Sequence, residues 1–216
     1  MKTRFLYINY VGKVKASGEV FDTNLEEIAK KEGIYDEKRK YKPLAVITGS
    51  NRLFRALEEE ISKMDVGEKK IITLPPEKAF GLRDEKLKRV FSLKDFEKEP
   101  QVGQKVFLRG LEGRIISISG GRVIVDFNHP LAGKELEFEI EVVKEAKDLK
   151  EKVLVVLDSF TNSSESFEVL VKNEKVEIKD LKNILTPSLR ISIKDAIFKF
   201  LKNLKEVIFI NQFSAS

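Results

Sequence analysis

The segment NHPLAGKELEFEIEV, residues 128–142, decides the fold class of this 216-residue chain. From Leu136 to Val142 apolar and acidic residues alternate strictly, which predicts a strand with one face in a core and the other in solvent. Pro130 and Gly133, just before it, indicate a turn. Such a strand needs antiparallel partners, and the residues before it supply several.

Alternating or short apolar segments bounded by turn residues predict the partner strands. The first of them begins at Phe5, and the second is short and ends at Phe21-Asp22. Two more cover residues 44–47 and 69–74. Ser50-Asn51 is predicted to cap a helix over residues 51–64, because the apolar residues there recur at helical spacing. Thr23 and Asn24 are predicted to cap a shorter helix that ends at Gly33.

Residues 84–127 have the pattern of a separate β-rich module. Strands are predicted at 88–93, 105–109, 114–118 and 122–126, with Gly-rich turns between the last three. Consecutive apolar residues such as Val123-Ile124-Val125 exceed what so small a module can bury. One interpretation is an exposed edge or groove that takes an extended client strand. The other is that both faces are buried against neighbouring domains.

The segment from Lys144 to Lys152 is charged and is interpreted as a linker to a further α/β domain, residues 148–216. Strands are predicted there at 153–157, 167–171, 176–178 and 207–210, with an amphipathic helix after Pro187. The apolar stripe of that helix is a candidate homodimer interface. It consists of Ile193, Ala196, Ile197, Phe200, Leu201 and Leu204.

The composition excludes several classes of protein. A hydrophobic fraction of 42% supports packed cores, and the absence of Cys excludes disulfides and thiolate chemistry. With neither a membrane-length apolar run nor a signal peptide, a cytoplasmic location is expected. Dense Lys and Glu without Cys fits a protein from a thermophile. The pI of about 9.1 allows weak ribosome association, but no basic stripe with interleaved aromatic residues predicts specific nucleic-acid binding.

Four segments, taken in order, resemble the FKBP-type peptidyl-prolyl cis–trans isomerases, specifically their SlyD-like and long archaeal branch. The most specific of the four is the opening segment, residues 128–142. The other three are Tyr10 with Val20-Phe21-Asp22, Thr48-Gly49 with Leu53-Phe54-Arg55-Ala56-Leu57-Glu58, and Met64-Asp65-Val66-Gly67-Glu68 with Ala79-Phe80-Gly81. The resemblance covers about two thirds of the chain, up to about Ala146.

The resemblance implies an α+β fold in which a bent antiparallel sheet wraps around the helix at 51–64. It implies an isomerase domain made of residues 1–83 and 128–147, interrupted by an inserted domain at 84–127 that binds unfolded chains. Residues 148–216 have no comparable match. The implied activity is isomerisation of X–Pro bonds during protein folding, with chaperone activity from the insert.

The resemblance also implies the site. A prolyl pocket would use Tyr10, Asp22, Phe54, Phe80 and Phe138 for catalysis, with the backbone N–H of Phe54 donating to a substrate carbonyl. Asp22 would hold Tyr10 or interact with the twisting amide. The residues implied to line the pocket for substrate are Phe21, Leu44, Val46, Leu53 and Leu57.

Each residue also has an ordinary interpretation. The apolar ones would be buried in any sheet-and-helix core, Asp22 could cap the next helix, and Tyr10 could be a strand aromatic with some other partner. Two positions depart from the smallest members of the family: Phe80 replaces a tyrosine, and Leu57 replaces a larger aromatic. These changes weaken the expectation of macrolide binding more than that of activity.

The isomerase interpretation predicts neither metal nor cofactor, since rotation about a peptide bond changes no covalent bond. His129, the only histidine, lacks a nucleophile partner and is interpreted as a hinge residue beside Pro130. The residues 211–216 contain no histidine, so the metal-binding tail of SlyD proteins is not expected. The expected partners are unfolded or nascent chains with X–Pro bonds. The alternative function is a holdase, a peptide-binding chaperone without turnover.

Overall fold

The structure, a computed structural model, describes residues 2–211 and confirms the predicted α+β class. Residues 212–216, most of the tail without histidine, lie outside the described residues. The helices are α1 (Glu26–Lys31), α2 (Arg55–Ile61), α3 (Leu149–Thr161) and α4 (Pro187–Phe200). The strands are β1 (Phe5–Val14), β2 (Val20–Thr23), β3 (Leu44–Ile47), β4 (Lys69–Leu74), β5 (Lys88–Ser92), β6 (Lys105–Leu108), β7 (Leu111–Ser119), β8 (Arg122–Asp126), β9 (Leu136–Glu145), β10 (Phe167–Lys172), β11 (Lys175–Asp180) and β12 (Glu206–Asn211).

The chain forms two compact units. The first unit contains the residues up to Lys13, Ser17–Thr73 and the residues from Glu137 onward. The second unit contains Val14–Ala16 and Leu74–Leu136. The limits of these two units differ from those of the predicted isomerase, inserted and C-terminal domains. The division of the chain into three functional domains stays a prediction.

The main sheet of the first unit is built around β1. Its strand order is β2-β1-β9-β4, and β3 also pairs with β1. The ten residues of β1 are long enough to pair antiparallel with β3 through Phe5–Ile8 and with β2 through Val11–Lys13. In β9, Leu136, Phe138, Ile140 and Val142 are all buried, which confirms the one-faced strand predicted from the alternating sequence.

The predicted strand at Val153–Leu157 is wrong, because these residues lie in helix α3. Val153, Val155, Val156 and Leu157 are all fully buried, so a continuous apolar run marks a helix that is covered on most sides. The carboxylate of Asp148 accepts from the N–H of Glu151 and begins the helix only three residues after β9. The segment from Lys144 to Lys152 is therefore not the predicted linker, because it contains the end of β9 and the start of α3.

The first unit has a core that α3 shares with the main sheet. Phe5 on β1 and Ala45 and Ile47 on β3 belong to the same buried cluster as the apolar side chains of α3. The sheet β10-β11-β12, with β12 parallel to β11, contributes to the same cluster. The C-terminal third of the chain thus packs on the isomerase-like strands.

The apolar stripe of α4 points into this core. Ile193 and Ile197 are fully buried, and Leu201 and Leu204 are nearly so. Ala196 and Phe200 pack against the same cluster. The apolar stripe that was predicted as a candidate dimer interface is therefore buried in the core of the chain itself.

The second unit contains a four-stranded antiparallel sheet of order β5-β8-β7-β6. Its small core consists of Phe91, Ile115, Val123 and Val125. Gly113 lies under that core, since a Cβ atom there would stand 2.7 Å from Val125 and 2.8 Å from the Phe127 ring. The four strands predicted for this segment are found within a few residues of their predicted limits.

The predicted helix at 51–64 is shorter in the structure. Helix α2 begins at Arg55, because residues 49–53 form a loop in which Asn51 adopts a left-handed conformation with φ of 60°. The carboxylate of Glu58, a fully buried side chain, lies inside this loop. It accepts from the backbone N–H groups of Gly49 (2.8 Å), Asn51 (3.2 Å), Arg52 (3.0 Å) and Leu53 (3.1 Å) and from the Ser50 hydroxyl (3.2 Å).

We expect Glu58→Gln to lower the free energy of unfolding by about 1–3 kcal/mol, because the new amide NH₂ faces buried donors that lose their acceptor. Equilibrium denaturant unfolding measures the change. Glu59→Gln is the matched control. Glu59 is half exposed and paired only with Arg55, so its change should stay within about 0.5 kcal/mol. Equal losses in both variants would contradict the role assigned to Glu58.

Candidate active site

Three polar side chains converge beside the main sheet. The Tyr10 hydroxyl donates to Asp22 Oδ2 at 2.7 Å. The Arg39 guanidinium donates to Asp22 Oδ1 at 2.5 Å and to the Tyr10 hydroxyl oxygen at 2.8 Å. Each of the three groups therefore contacts the other two, so the Tyr10 ring and the Asp22 carboxylate are held in one orientation.

Burial is the main cause that raises the pKa of Tyr10 well above its ordinary value, and the bond to the Asp22 carboxylate raises it further. Arg39 acts in the opposite direction, since a cation favours the phenolate. The net effect keeps the phenol protonated throughout the neutral and moderately alkaline range. Tyr10 thus serves as a hydrogen-bond donor with a fixed direction and not as a proton carrier.

Asn24 and Thr23 connect β1 to its neighbours instead of capping α1, so the predicted caps are wrong. The buried Asn24 amide accepts from Tyr10 N–H (2.8 Å) and donates to the carbonyls of Ile8 and Lys42 (2.9 Å each). Helix α1 begins after Leu25 with no side-chain cap. These bonds fix the backbone on both sides of Tyr10.

Three aromatic rings gather next to these strands. The rings of Phe21 and Phe138 meet edge to face with centroids 5.8 Å apart, and Phe54 and Phe138 are 6.1 Å apart. Gly12 makes room for them, because a Cβ atom there would lie 2.7 Å from Phe21 Cζ and 3.2 Å from Phe138 Cε1. The β1–β2 register shifts at the same glycine, which is typical of a bulge that redirects side chains.

The remaining predicted residues differ in how closely they join this group. Leu44 lines a pocket together with Tyr10. Val46 and Leu57 are each only 3% exposed, and Leu53 is half buried. Their burial fits either a pocket wall or an ordinary core, so their role as substrate contacts stays a prediction.

Phe80 belongs to the second unit. Its ring stacks on His129 with centroids 4.0 Å apart and an angle of 6° between planes. The His129 Nδ1 atom accepts from the N–H of Leu131, which makes His129 part of the turn before β9. The place of Phe80 in the predicted pocket stays a prediction.

Three residues that the structure puts in or under this group are not predicted from the sequence. Arg39 lies in a charged loop where nothing distinguishes it from Lys38 or Lys40. Gly12 had a usable signal, because a glycine inside a strand often marks a bulge or a close approach. Glu58 stands in a run of three glutamates and carried no signal of burial.

The arrangement suits binding and orientation. Its three polar groups hydrogen-bond to one another, and aromatic rings lie next to the same strands. Within residues 2–211, no three His, Asp or Glu side chains are grouped as metal ligands would be. In the same range, none of the helices has the length and hydrophobicity of a membrane span.

Comparison with known proteins agrees with the resemblance. Residues 89–131 match the family model described as "FKBP26, IF domain". A short-type peptidyl-prolyl cis-trans isomerase of Methanocaldococcus jannaschii is 42% identical over 146 residues, which is 65% of this chain and 90% of that protein.

Two bacterial relatives extend the comparison. An FKBP-type 16 kDa peptidyl-prolyl cis-trans isomerase of Escherichia coli is 34% identical, over 48% of this chain and 74% of that protein. The FKBP-type isomerase SlyD of Helicobacter pylori is 29% identical, over 68% of this chain and 75% of its own length. Because the archaeal and 16 kDa relatives exceed 30% identity and are covered over most of their length, the chain belongs to the FKBP-type peptidyl-prolyl cis–trans isomerases.

Proposed function

We propose that the first unit catalyses X–Pro isomerisation in folding polypeptides, with Tyr10, Asp22, Phe54 and Phe138 at the reacting bond. The observation that carries this proposal is the combination of the mutually bonded Tyr10–Asp22–Arg39 group with the three aromatic rings. The names of the relatives support the reaction type.

The chemistry required is modest. An X–Pro bond rotates over a barrier of roughly 18–20 kcal/mol because resonance stabilises its planar form. The twisted form has lost that resonance and part of its charge separation, so an apolar surrounding disfavours the planar form more than the twisted one. Lowering the barrier by about 4–8 kcal/mol gives a rate increase of roughly 10³- to 10⁶-fold.

The site residues divide this work. Phe21, Phe54 and Phe138 form the apolar wall that excludes water from the proline ring. The backbone N–H of Phe54, at the start of α2, orients a substrate carbonyl. The Asp22 carboxylate and Arg39 fix the orientation of the Tyr10 ring, so that it keeps its position when the substrate twists.

We further propose that the second unit captures unfolded chains on the open face of its sheet. Its core face holds Phe91, Ile115, Val123 and Val125, whereas Val90 and Phe107 are 62% and 73% exposed. Val90, Ile124 and Ser117 form a cross-strand row, because Val90 pairs with Ile124 and Ile124 with Ser117. A shallow hollow of about 460 Å³ lies over this row.

These exposures argue against the alternative in which both faces of the insert are buried. An apolar, open sheet face with β5 and β6 as its edge strands can take an extended segment through backbone hydrogen bonds and side-chain contacts. A client held there has a high effective concentration at the isomerase site of the same chain. The proposed function is therefore an isomerase with chaperone activity.

A homodimer through the C-terminal part is also proposed, now through a different surface. The stripe of α4 is internal, but β12 pairs only with β11 within residues 2–211 and leaves its outer edge unpaired. Ile210 on that edge is 39% exposed. Edge-to-edge pairing of two copies would satisfy those backbone groups.

Tyr10→Phe is expected to lower kcat/KM on an Ala-Leu-Pro-Phe peptide about two- to tenfold, since losing the hydroxyl that Asp22 and Arg39 hold should cost about 0.5–1.5 kcal/mol of transition-state stabilisation in total. A protease-coupled isomerisation assay measures it. Tyr7→Phe makes the same change on the same strand, but Tyr7 packs against the core shared with α3, so its kcat/KM should not change. Absence of turnover in the unmodified protein would favour the holdase alternative.

The double variant Val90→Ser, Phe107→Ser should slow catalysed refolding of a proline-limited protein several-fold, because the exposed apolar face is lost. Its tetrapeptide turnover should equal that of the parent protein. Val66→Ser, also at an exposed valine (54%), controls for surface polarity. Unchanged refolding catalysis in the double variant would exclude this face as the client site.

Light scattering of the full chain is expected to give the mass of a dimer, and Ile210→Lys is expected to give a monomer, because a charge blocks edge pairing. Leu170→Lys, on β10 at the opposite side of the same sheet, should leave the mass unchanged. A monomer in the parent protein would end this proposal.

A further inference from the structure

A pocket of about 300 Å³ lies directly beside the Tyr10–Asp22–Arg39 group. Tyr10, Arg39 and Leu44 line one side of it, and Phe160 and Asn162 at the C-terminal end of α3 line the other. Two of these residues, Tyr10 and Leu44, are also residues of the proposed prolyl site. The pocket therefore shares two residues with that site, and one of its walls comes from the C-terminal third of the chain.

This wall is held in place by specific contacts. Arg52 donates from its guanidinium to the Ser159 carbonyl at 2.8 Å and lies over the Phe160 ring at 4.2 Å from the centroid. Lys42 donates to Asp158 at 2.7 Å, and the Asp158 side chain is only 2% exposed. Because Arg52 belongs to the loop that Glu58 organises, the end of α3 is tied to the same loop that leads into Phe54.

The charges around the pocket are unequal. Three cationic side chains line it, namely Arg39, Lys40 and Lys42, together with one carboxylate, that of Asp158. A fourth cation, Arg52, stacks on the ring of Phe160, which is itself a lining residue. Asp22 is paired with Arg39, Glu165 with Lys40, and Asp158 with Lys42. Among the described residues, no carboxylate forms an ion pair with the guanidinium of Arg52, which is held by a carbonyl and a ring instead.

We infer that this pocket is an extended substrate subsite, in which α3 and Arg52 bind the polypeptide segment flanking the X–Pro bond and favour acidic side chains there. The inference rests on the proposed isomerase function, since the subsite adjoins its residues. The hydroxyl and amide groups of Ser159 and Asn162 can bond to an extended backbone, Phe160 provides an apolar contact, and Arg52 provides the uncompensated charge.

The test uses the full-length protein and one core peptide, Ala-Leu-Pro-Phe, extended at either end by four residues that carry two glutamates or two lysines. Exchange spectroscopy by NMR gives kcat/KM without a coupling protease. At low salt and for the end of the peptide that reaches the subsite, kcat/KM of the glutamate peptide should exceed that of the lysine peptide about two- to fivefold. This is the range expected for a partly exposed ion pair. At 0.5 M salt this ratio should fall toward one.

Two variants test the charge of Arg52 and the ring beneath it separately. Arg52→Gln should reduce the glutamate-to-lysine ratio of kcat/KM to about one; because both peptides share one core, any change at the proline site itself cancels in this ratio. Phe160→Leu removes the ring beneath Arg52 without touching the loop and should reduce the ratio as well. Arg55→Gln is the matched control: it removes the same charge three residues away, from a side chain that is 83% exposed and paired with Glu59, and should keep the ratio.

The possible failures are distinguishable. Equal rates for glutamate and lysine peptides in the parent protein, or a ratio that survives both Arg52→Gln and Phe160→Leu, would overturn the subsite. No turnover of the core peptide would overturn the proposed function and the subsite with it.

Discussion

The carboxylate of Glu58 is the interaction on which the site depends. Residues 49–53 turn sharply between β3 and α2, and of their five backbone N–H groups that of Ser50 donates to the Ile47 carbonyl at the end of β3. One buried carboxylate accepts four of them. A carboxylate is suited to this because its two oxygens accept several bonds at once and match the direction of the N–H dipoles. The helix consequently begins at Arg55, and Phe54, the residue just before it, packs near the Phe138 ring.

The same loop contacts both the isomerase-like strands and the C-terminal third of the chain. One end presents Phe54 to the aromatic rings, and the middle presents Arg52 to the end of α3. The isomerase-like strands and the C-terminal third are thus joined at the loop as well as in the shared core of Phe5, Ala45 and Ile47. In this chain the C-terminal third serves as part of the framework of the first unit.

Much of the fold could be predicted from the sequence, for physical reasons. The alternation in β9 and the glycine turns between β7 and β8 are local signals with one simple solution, and the structure agrees with them. Helix α3 was missed because a run of valine and leucine fits a buried strand and a buried helix equally well. Asp148 and Glu151, three residues apart, were the signal that distinguishes the two, since that spacing caps a helix and has no function in a strand.

The site was predictable only in part. The bond between Tyr10 and Asp22 is present as the resemblance implied, and Phe21, Phe54 and Phe138 are near one another. Arg39 and Glu58 could not be found from the sequence, since their roles depend on long-range packing. Glu58, Glu59 and Glu60 are chemically identical, yet only the first is fully buried, because the helix face that it occupies turns toward the loop.

The core that joins Phe5 to α3 has a consequence for biosynthesis. Strand β1 is synthesised long before the side chains of α3 that cover Phe5, because these lie more than 140 residues later in the chain. Contacts of such sequence separation form slowly and only after both partners are available. The first unit therefore cannot complete its packing until this later segment has been synthesised, and until then an apolar sheet face stays uncovered.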